Sequence, residues 1–171
     1  MCIIVEYIIR KKELYDCEDW VNINISSWND NLKGVVSDNL LKKISLNKDE
    51  RIKKEIKTFK QDNYHYVLEE NKKIVGILKL KESKRSDFIG YGEVQMLYLL
   101  TSAKGKGYGK ALIKAAFLEL NKMGFNKVVI GCLDGNPSNE FYKHIGGKKI
   151  KQEDWNIFDE CYKENIYLYE I

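Results

Sequence analysis

Three glycines and three lysines stand directly before the most helix-favouring part of the chain. The segment reads TSAKGKGYGKALIKAAF and runs from Thr101 to Phe117. Glycine reaches backbone angles that other residues avoid, so a ligand can approach the main chain closely there. At the start of a helix the first amide N–H groups have no partner, and the helix dipole is positive. The guest that such a bend favours is an anion, above all a phosphate group.

Two common phosphate-binding motifs do not fit this stretch. A P-loop requires G-x-x-x-x-G-K-[ST], but Lys110 is followed by Ala111, which has no hydroxyl for a magnesium ion. A dinucleotide-binding motif requires G-x-G-x-x-G and an acidic residue about 20 positions later. Here the spacing is G-x-G-x-G, and the next apolar run, VVIGCL, ends in Cys132 and Leu133. Both interpretations therefore fail.

A second segment of distinctive composition follows one helix and one strand later. It reads NPSNEFYKHIG, from Asn136 to Gly146. In this order and spacing the two segments resemble the acetyl-CoA loop, Q/R-x-x-G-x-G/A, and the N-x-x-S/A-x-x-F-Y-x-x-x-G block of the GNAT (GCN5-related) N-acetyltransferases. The first block departs from the family pattern only at Lys104, which keeps the positive charge. The resemblance is strong over residues 74–147 and looser elsewhere.

The resemblance implies acetyl-CoA as co-substrate and assigns residues to it. In this family the glycine bend and helix start bind the pyrophosphate, and the preceding strand pairs with the pantetheine arm through its main chain. A main-chain N–H near Leu99 would stabilise the oxyanion, and Asn136 would bind the pantetheine arm or cap a helix. The residues so assigned are Leu97, Tyr98, Leu99, Lys104, Gly105, Lys106, Gly107, Tyr108, Gly109, Lys110, Asn136 and Tyr142.

Two side chains are candidates for the proton transfers of acetyl transfer. An alkyl ammonium has a reference pKa of about 10.4, so the acceptor must lose a proton before it attacks. Glu93 lies eleven residues before Lys104, the offset of the catalytic glutamate in the histone-acetylating branch of the family. It is the candidate base, acting directly or through water, with Glu82 and Asp87 as weaker substitutes. By the same resemblance Tyr142 protonates the departing thiolate, while Phe141 faces the core.

The composition argues against several other classes of protein. The 171 residues are 44% hydrophobic and 32% charged, which suits one domain over residues 1–171. A net charge of +4 is too small to argue for nucleic acid, and no apolar run is long enough for a membrane helix. His65 and His144 have no ligand partner at local spacing, so no metal is expected. Four cysteines without a C-x-x-C pair, Cys2, Cys17, Cys132 and Cys161, suit free thiols in the cytoplasm.

The hydrophobic pattern predicts a mixed α/β protein. Taken with the resemblance, it predicts the GNAT fold, a mostly antiparallel sheet of six to seven strands with splayed central strands, flanked by helices. Helices are expected at 17–28 with Asp16 as N-cap, at VSDNLLKKIS, at KDERIKKEIKTF, at 107–123 and within DGNPSNEFYKHIGG. Strands are expected at 3–11 and in the segments YHYVLEE, KIVGILKLKE, EVQMLYLL, NKVVIGCL, KKIKQEDW and ENIYLYEI.

The acetyl acceptor is left open by the sequence. In this fold it is shaped by residues 27–44, 82–92 and 153–162, whose aromatic and acidic side chains favour a cationic primary amine of a small molecule or a protein. A non-catalytic acyl-CoA sensor and a basic RNA- or ribosome-associated module are the alternatives. Homodimers are common in the family, and neither nucleic acid nor a membrane is an expected partner. The side chains concerned are Trp28, Trp155, Phe158, Asp154, Asp159 and Glu160.

Overall fold

The computed structural model describes residues 6–61 and 64–171, in which seven strands form one sheet. The strands are β1 (Tyr7–Lys11), β2 (His65–Glu70), β3 (Lys73–Glu82), β4 (Gly92–Leu99), β5 (Lys127–Leu133), β6 (Lys148–Ile157) and β7 (Glu160–Glu170). Their order is β1-β2-β3-β4-β5-β7-β6, and each neighbouring pair is antiparallel except β4 and β5. The predicted mixed, mostly antiparallel sheet is confirmed. Residues 3–5 of the expected first strand lie outside the described residues.

The five predicted helices are also present. They are α1 (Cys17–Leu32), α2 (Asp38–Ser45), α3 (Lys48–Lys57), α4 (Tyr108–Lys122) and α5 (Ser138–His144). The first runs four residues further than expected, because Leu32 is buried with Trp28 against residues of α2. Asp16 lies at the N-cap of α1, but its carboxylate accepts from Arg10 at 2.7 Å rather than from the helix. No helix in the described part of the chain has the length and apolarity needed to cross a bilayer.

The two faces of the sheet bury separate clusters of apolar side chains. Successive side chains of a strand point to opposite faces, so β3 supplies both clusters. Leu78 and Leu80 pack with Leu112 of α4, whereas Ile77 packs with Trp20 of α1. The sheet is therefore covered by α1 and α2 on one side and by α4 and α5 on the other, which accounts for the nearly continuous apolar composition of its central strands.

The two central strands separate halfway along their length. Residues 92–94 of β4 pair with residues 128–130 of β5, and within the described residues the pairing stops there. On its other side β4 pairs with β3, but Gln95 is skipped between the pairs Leu80–Val94 and Lys79–Met96. A bulge of this kind adds one residue and bends the strand. The bend opens a gap between β4 and β5, which confirms the predicted splay.

Candidate active site

A cleft of about 1070 Å³ lies where β4 and β5 separate. The glycine bend follows the end of β4, and Glu93 stands near its start, so the two occupy opposite ends of the cleft. The remaining walls come from α1 and from the start of α5. The predicted site residues that line it are Glu93, Leu97, Tyr98, Leu99, Lys104, Gly105, Gly107, Tyr108, Gly109, Lys110, Asn136 and Tyr142.

The glycine bend presents a run of amide groups without acceptors. Gly105 and Gly107 have φ angles of +77° and +83°, a left-handed conformation that favours glycine. In the described structure none of the N–H groups of residues 105–110 donates to a backbone oxygen, and the first that does belongs to Ala111, bonded to Gly107 at 3.1 Å. Six consecutive free amides at a helix N-terminus form a concave donor surface suited to an anion.

The lysines around the bend have different positions. Lys104 lines the cleft and donates to Asn31 of α1, and Lys110 also lines it. The Lys106 side chain, by contrast, turns away: its Nζ lies 2.8 Å from Glu70 Oε1, and it is not among the lining residues. The same carboxylate accepts from the Tyr108 hydroxyl at 2.6 Å. The Lys106 side chain therefore contacts Glu70 rather than the cleft.

Asn136 lies two residues before α5 and lines the cleft. Its Oδ1 accepts from the amide of Ser138 at 2.8 Å, which satisfies one of the free donors at the helix start. Asn139, which the sequence analysis did not single out, is buried one turn later. It donates to the carbonyl oxygen of Leu133 at 2.8 Å and accepts from the Tyr167 hydroxyl at 2.7 Å. These bonds fix α5 to the end of β5 and to β7.

Tyr142 and Phe141 both border the cleft, so the expected division between a core-facing Phe141 and a cofactor-facing Tyr142 is wrong. Tyr142 is the more deeply buried of the two, at 7% exposure. Phe141 lies against the glycine bend, where a Cβ added to Gly109 would be 3.1 Å from its Cζ. Burial raises the pKa of the Tyr142 hydroxyl well above its usual value, with a smaller contribution from Cys132, so the phenol keeps its proton.

Cys132 is a buried thiol on the cleft wall. Burial raises the pKa of its side chain to about 12, so the thiolate is scarce at neutral pH. Cys132 thus acts as a small residue of the core.

A charged cluster that sequence reasoning missed lies at the Glu93 end of the cleft. Arg85, in the β3–β4 loop, contacts carboxylates from three strands: Glu93 of β4 at 3.3 Å, Glu164 of β7 at 2.8 Å, and Glu153 of β6. The cluster lies flat on Gly131, where an added Cβ would be 2.1 Å from Glu164 Oε1. Nothing in the loop sequence SKRSD distinguishes Arg85 from its neighbour Lys84.

Glu93 is hydrogen-bonded through one carboxylate oxygen, whereas the other has an ionic contact but no hydrogen bond. The residue is 4% exposed, and its Oε1 accepts from Arg85 Nε. Within the described residues Oε2 is buried without a hydrogen-bond partner, and Lys81 Nζ lies 3.5 Å from it. A buried acceptor without a hydrogen bond destabilises the folded protein by about 1–3 kcal/mol. A ligand that brings a hydrogen-bond donor to this oxygen would remove that penalty.

The region expected to shape the acceptor site is aromatic at the cleft but not acidic. Trp28 and Trp155 line the cleft, with ring centroids 6.0 Å apart. Phe158 is 62% exposed and lies outside it. The acids named from this part of the sequence also lie outside the lining and have other partners: Asp154 contacts Lys163, Asp159 contacts Lys43, and Glu160 contacts Ser37. The carboxylates that do line the cleft are Glu93 and Glu164.

The two histidines occupy positions that fit a structural role. His65 stacks on Trp20 with ring centroids 5.0 Å apart, and burial lowers the pKa of His65 to about 4, so the ring is neutral. His144 is exposed at the end of α5. In residues 6–61 and 64–171, no three His, Cys, Asp or Glu side chains come together as metal ligands would.

A sequence profile described as the Acetyltransferase (GNAT) family matches residues 28–146. The matched stretch covers well over half of the chain and contains both the glycine bend and Tyr142. The chain belongs to the GNAT family of acetyltransferases. The resemblance seen in the two sequence blocks is thereby confirmed, and the splayed sheet is the fold of this family.

Similar proteins support the assignment of this GNAT acetyltransferase at the level of fold. An uncharacterized N-acetyltransferase of Bacillus subtilis, YuaI, is 24% identical over 157 residues, which are 91% of this chain and 88% of that protein. A GCN5-related N-acetyltransferase from Rhodopseudomonas palustris superposes with a TM-score of 0.79 at 14% identity, and the alignment covers 100% of each chain. The PaiA N-acetyltransferase of Thermoplasma acidophilum, solved with coenzyme A, has a TM-score of 0.71 at 16% identity and covers 97% of this chain and 99% of its own.

Proposed function

We propose that this GNAT protein is an acetyl-CoA-dependent N-acetyltransferase that acts on a primary amine by direct transfer in a ternary complex. The observation that carries the proposal is the placement of six free amides, Tyr142 and Glu93 along one cleft. Direct transfer needs the thioester donor and the amine in one cavity, and 1070 Å³ is at the upper end of the usual size of ligand sites. The Thermoplasma relative, which has the same fold, binds coenzyme A.

The cofactor half of the cleft offers the groups that coenzyme A requires. The amides of residues 105–110 would bind the pyrophosphate, and Lys104 and Lys110 would add positive charge beside it. Residues 95–99 of β4 have no strand partner on the β5 side and would pair with the amide groups of the pantetheine arm. Acetyl-CoA supplies the activated acetyl group, and a main-chain N–H near Leu99 would stabilise the oxyanion that develops on it.

Glu93 is suited to receive the proton of the acceptor. Arg85 fixes its orientation through Oε1, so the unpartnered Oε2 can accept from the amine or from a water between them. At neutral pH nearly all of an alkyl amine is protonated, so removal of that proton limits the supply of nucleophile. Glu82 and Asp87, the weaker candidates from the sequence, do not line the cleft and contact Lys84 and Lys151 instead.

The proposal is tested by measuring free thiol release from acetyl-CoA in the presence of a panel of primary amines. Acceleration by at least one amine, with mass-spectrometric detection of its acetamide, is the expected result. Binding of acetyl-CoA without turnover on any amine would favour a sensor instead. Absence of both binding and turnover would refute the proposed function.

Replacing Glu93 with Gln should lower kcat/KM for the amine about 10- to 100-fold at pH 7, because the amide cannot accept the proton. The deficit should shrink toward pH 10, where the amine loses its proton unaided. Glu153→Gln is the matched control, since Glu153 contacts the same Arg85 but does not line the cleft. Equal loss in both variants, or a deficit that does not change with pH, would assign Glu93 to structure rather than to proton transfer.

A further inference from the structure

The Glu93 half of the cleft holds one basic side chain that has no acidic partner. Lys81 contacts Glu93 at 3.5 Å, Lys84 contacts Glu82 at 3.1 Å, and Arg85 is surrounded by its three carboxylates. Lys79 also lines the cleft, but within residues 6–61 and 64–171 no carboxylate lies within 4 Å of its ammonium group. A lysine in a ligand cleft without a counter-charge is a candidate anion-binding group.

The surroundings of Lys79 make its positive charge unfavourable unless an anion arrives. Burial lowers its pKa, and the neighbouring Lys81 and Lys12 act in the same direction. The carboxylate that opposes them, Glu55, is already bonded to Lys12 at 2.7 Å. A carboxylate brought by a ligand would therefore relieve a charge that the protein itself leaves uncompensated.

Lys79 lies at a defined spacing from Glu93 on the same face of the sheet. Lys81 of β3 pairs directly with Glu93 of β4, and Lys79 is two residues away along β3. Residues at positions i and i+2 of a strand are about 7 Å apart, and their side chains point to the same face of the sheet. Lys79 is therefore the diagonal neighbour of Glu93 across the two strands, a position about 7–8 Å away that one small molecule can bridge.

An amino acid has the dimensions of such a bridge. Its amine nitrogen and carboxylate oxygens are about 3 Å apart, as its bond lengths require. A hydrogen bond of about 2.8 Å at each end brings the total span to roughly 9 Å. The strand spacing of about 7 Å and the flexible stem of Lys79 accommodate this length.

Part of the cleft wall is apolar. Trp28 and Trp155 line it together with Leu32 and Leu133. These side chains would bury an apolar substituent on the acceptor, and removal of apolar surface from water favours binding. The cleft thus combines an ammonium-accepting oxygen, an anion-binding lysine and an apolar wall.

We propose that the acetyl acceptor is an amine that also carries a carboxylate, namely a free amino acid with an apolar side chain or a close analogue. The amine lies at Glu93 and the carboxylate at Lys79, so the acceptor is a zwitterion, a narrower class than the cationic primary amine favoured by the sequence. The inference rests on the proposed function. Glu93 receives one proton of the acceptor's ammonium group, and the amine nitrogen then forms a bond to the acetyl carbon as the carbon–sulphur bond breaks. Tyr142 protonates the departing thiolate, and the second proton lost by the nitrogen as the amide forms returns to Tyr142, directly or through water.

The test compares each proteinogenic amino acid with its carboxamide and its decarboxylated amine, and includes spermidine, in the thiol-release assay. The best amino acid should exceed both of its derivatives in kcat/KM by at least tenfold. Lys79→Met should remove that preference, lowering kcat/KM for the acid at least tenfold while the decarboxylated amine changes less than twofold. Lys84→Met is the matched control, because it removes a lysine that is 74% exposed and already paired.

Three outcomes would overturn the proposal. Equal or better use of carboxamides, decarboxylated amines or spermidine would show that no acceptor carboxylate is bound. A preference for acids that persists in Lys79→Met would place the carboxylate elsewhere. In both cases acetyl transfer itself would stand, whereas absence of turnover with every amine would refute the proposed function and this inference together. Unchanged coenzyme A affinity and melting temperature in Lys79→Met exclude general damage as the cause of a lost preference.

Discussion

Replacing Tyr142 with Phe is expected to lower kcat about 100-fold or more, with KM for acetyl-CoA unchanged within about twofold. A positioned general acid contributes typically 10²- to 10⁴-fold to a rate, and the substitution removes the proton without changing the shape of the ring. The raised pKa of Tyr142 keeps the hydroxyl protonated, so the wild-type rate should show no alkaline fall from this group below about pH 10. Steady-state kinetics across pH 6–10 measures both effects.

The buried thiol beside Tyr142 explains how so weak an acid can act. Cys132 also lines the cleft, and its pKa is raised to about 12, mainly by burial and to a smaller extent by Glu164 and Asp134. A thiolate released next to it meets the same dry surroundings, which disfavour its charge and increase its demand for a proton. We therefore expect the pKa of the leaving thiol to be raised along with that of Tyr142, so that a proton can still pass from the phenol to the thiolate.

Tyr167→Phe is the matched control for Tyr142→Phe. Tyr167 packs beside Tyr142 with ring centroids 5.9 Å apart, but it does not line the cleft, and its hydroxyl donates to Asn139 at 2.7 Å. Its loss should cost about 1 kcal/mol of unfolding free energy with kcat within about threefold of wild type. A Tyr142→Phe enzyme that turns over at the wild-type rate would remove the general-acid role and revive the sensor alternative.

Replacing Gly107 with Ala is expected to weaken coenzyme A binding at least tenfold. Gly107 has a φ of +83° at the N-cap of α4, and an alanine there costs about 1–2 kcal/mol in the left-handed region. The backbone would relieve this strain by changing its φ and ψ angles in the bend. That change would reorient several of the six N–H groups. Calorimetric titration with coenzyme A measures the dissociation constant.

Gly124→Ala controls for strain in the same helix. Gly124 follows the other end of α4 with a φ of +93° and open space around it, as at Gly107. Both variants should lose a similar amount of unfolding free energy, but only Gly107→Ala should lose coenzyme A affinity. If the two bind coenzyme A equally well, the bend is not the pyrophosphate site.

The strands and helices could be predicted because their signals are local. Ser37 caps the start of α2, glycines flank α4, and the strands have apolar runs bounded by polar turns. The glycine bend was also predictable, since the positive φ angles found at positions 105 and 107 favour glycine. The continuation of α1 from the predicted end at residue 28 to Leu32 was not predictable, because it depends on packing against α2.

The charged end of the site could not be predicted, since it depends on contacts between distant parts of the chain. Arg85 meets Glu153 and Glu164, which are 68 and 79 residues away in sequence. Gly131 looks like an ordinary strand residue until the ion pair that lies on it is known. For the same reason the acids of the last hairpin were assigned to the acceptor site, although they pair with neighbouring side chains outside it. A homodimer and a cytoplasmic location stay predictions from the sequence.

The central claim, that the amides of residues 105–110 bind the pyrophosphate of coenzyme A, is tested most directly by recording backbone amide NMR spectra of the ¹⁵N-labelled protein during titration with coenzyme A. The account predicts that these six amide signals move most, and that pantetheine, which lacks the pyrophosphate, leaves them in place. If coenzyme A binds while the signals of residues 105–110 stay unchanged, the account is contradicted.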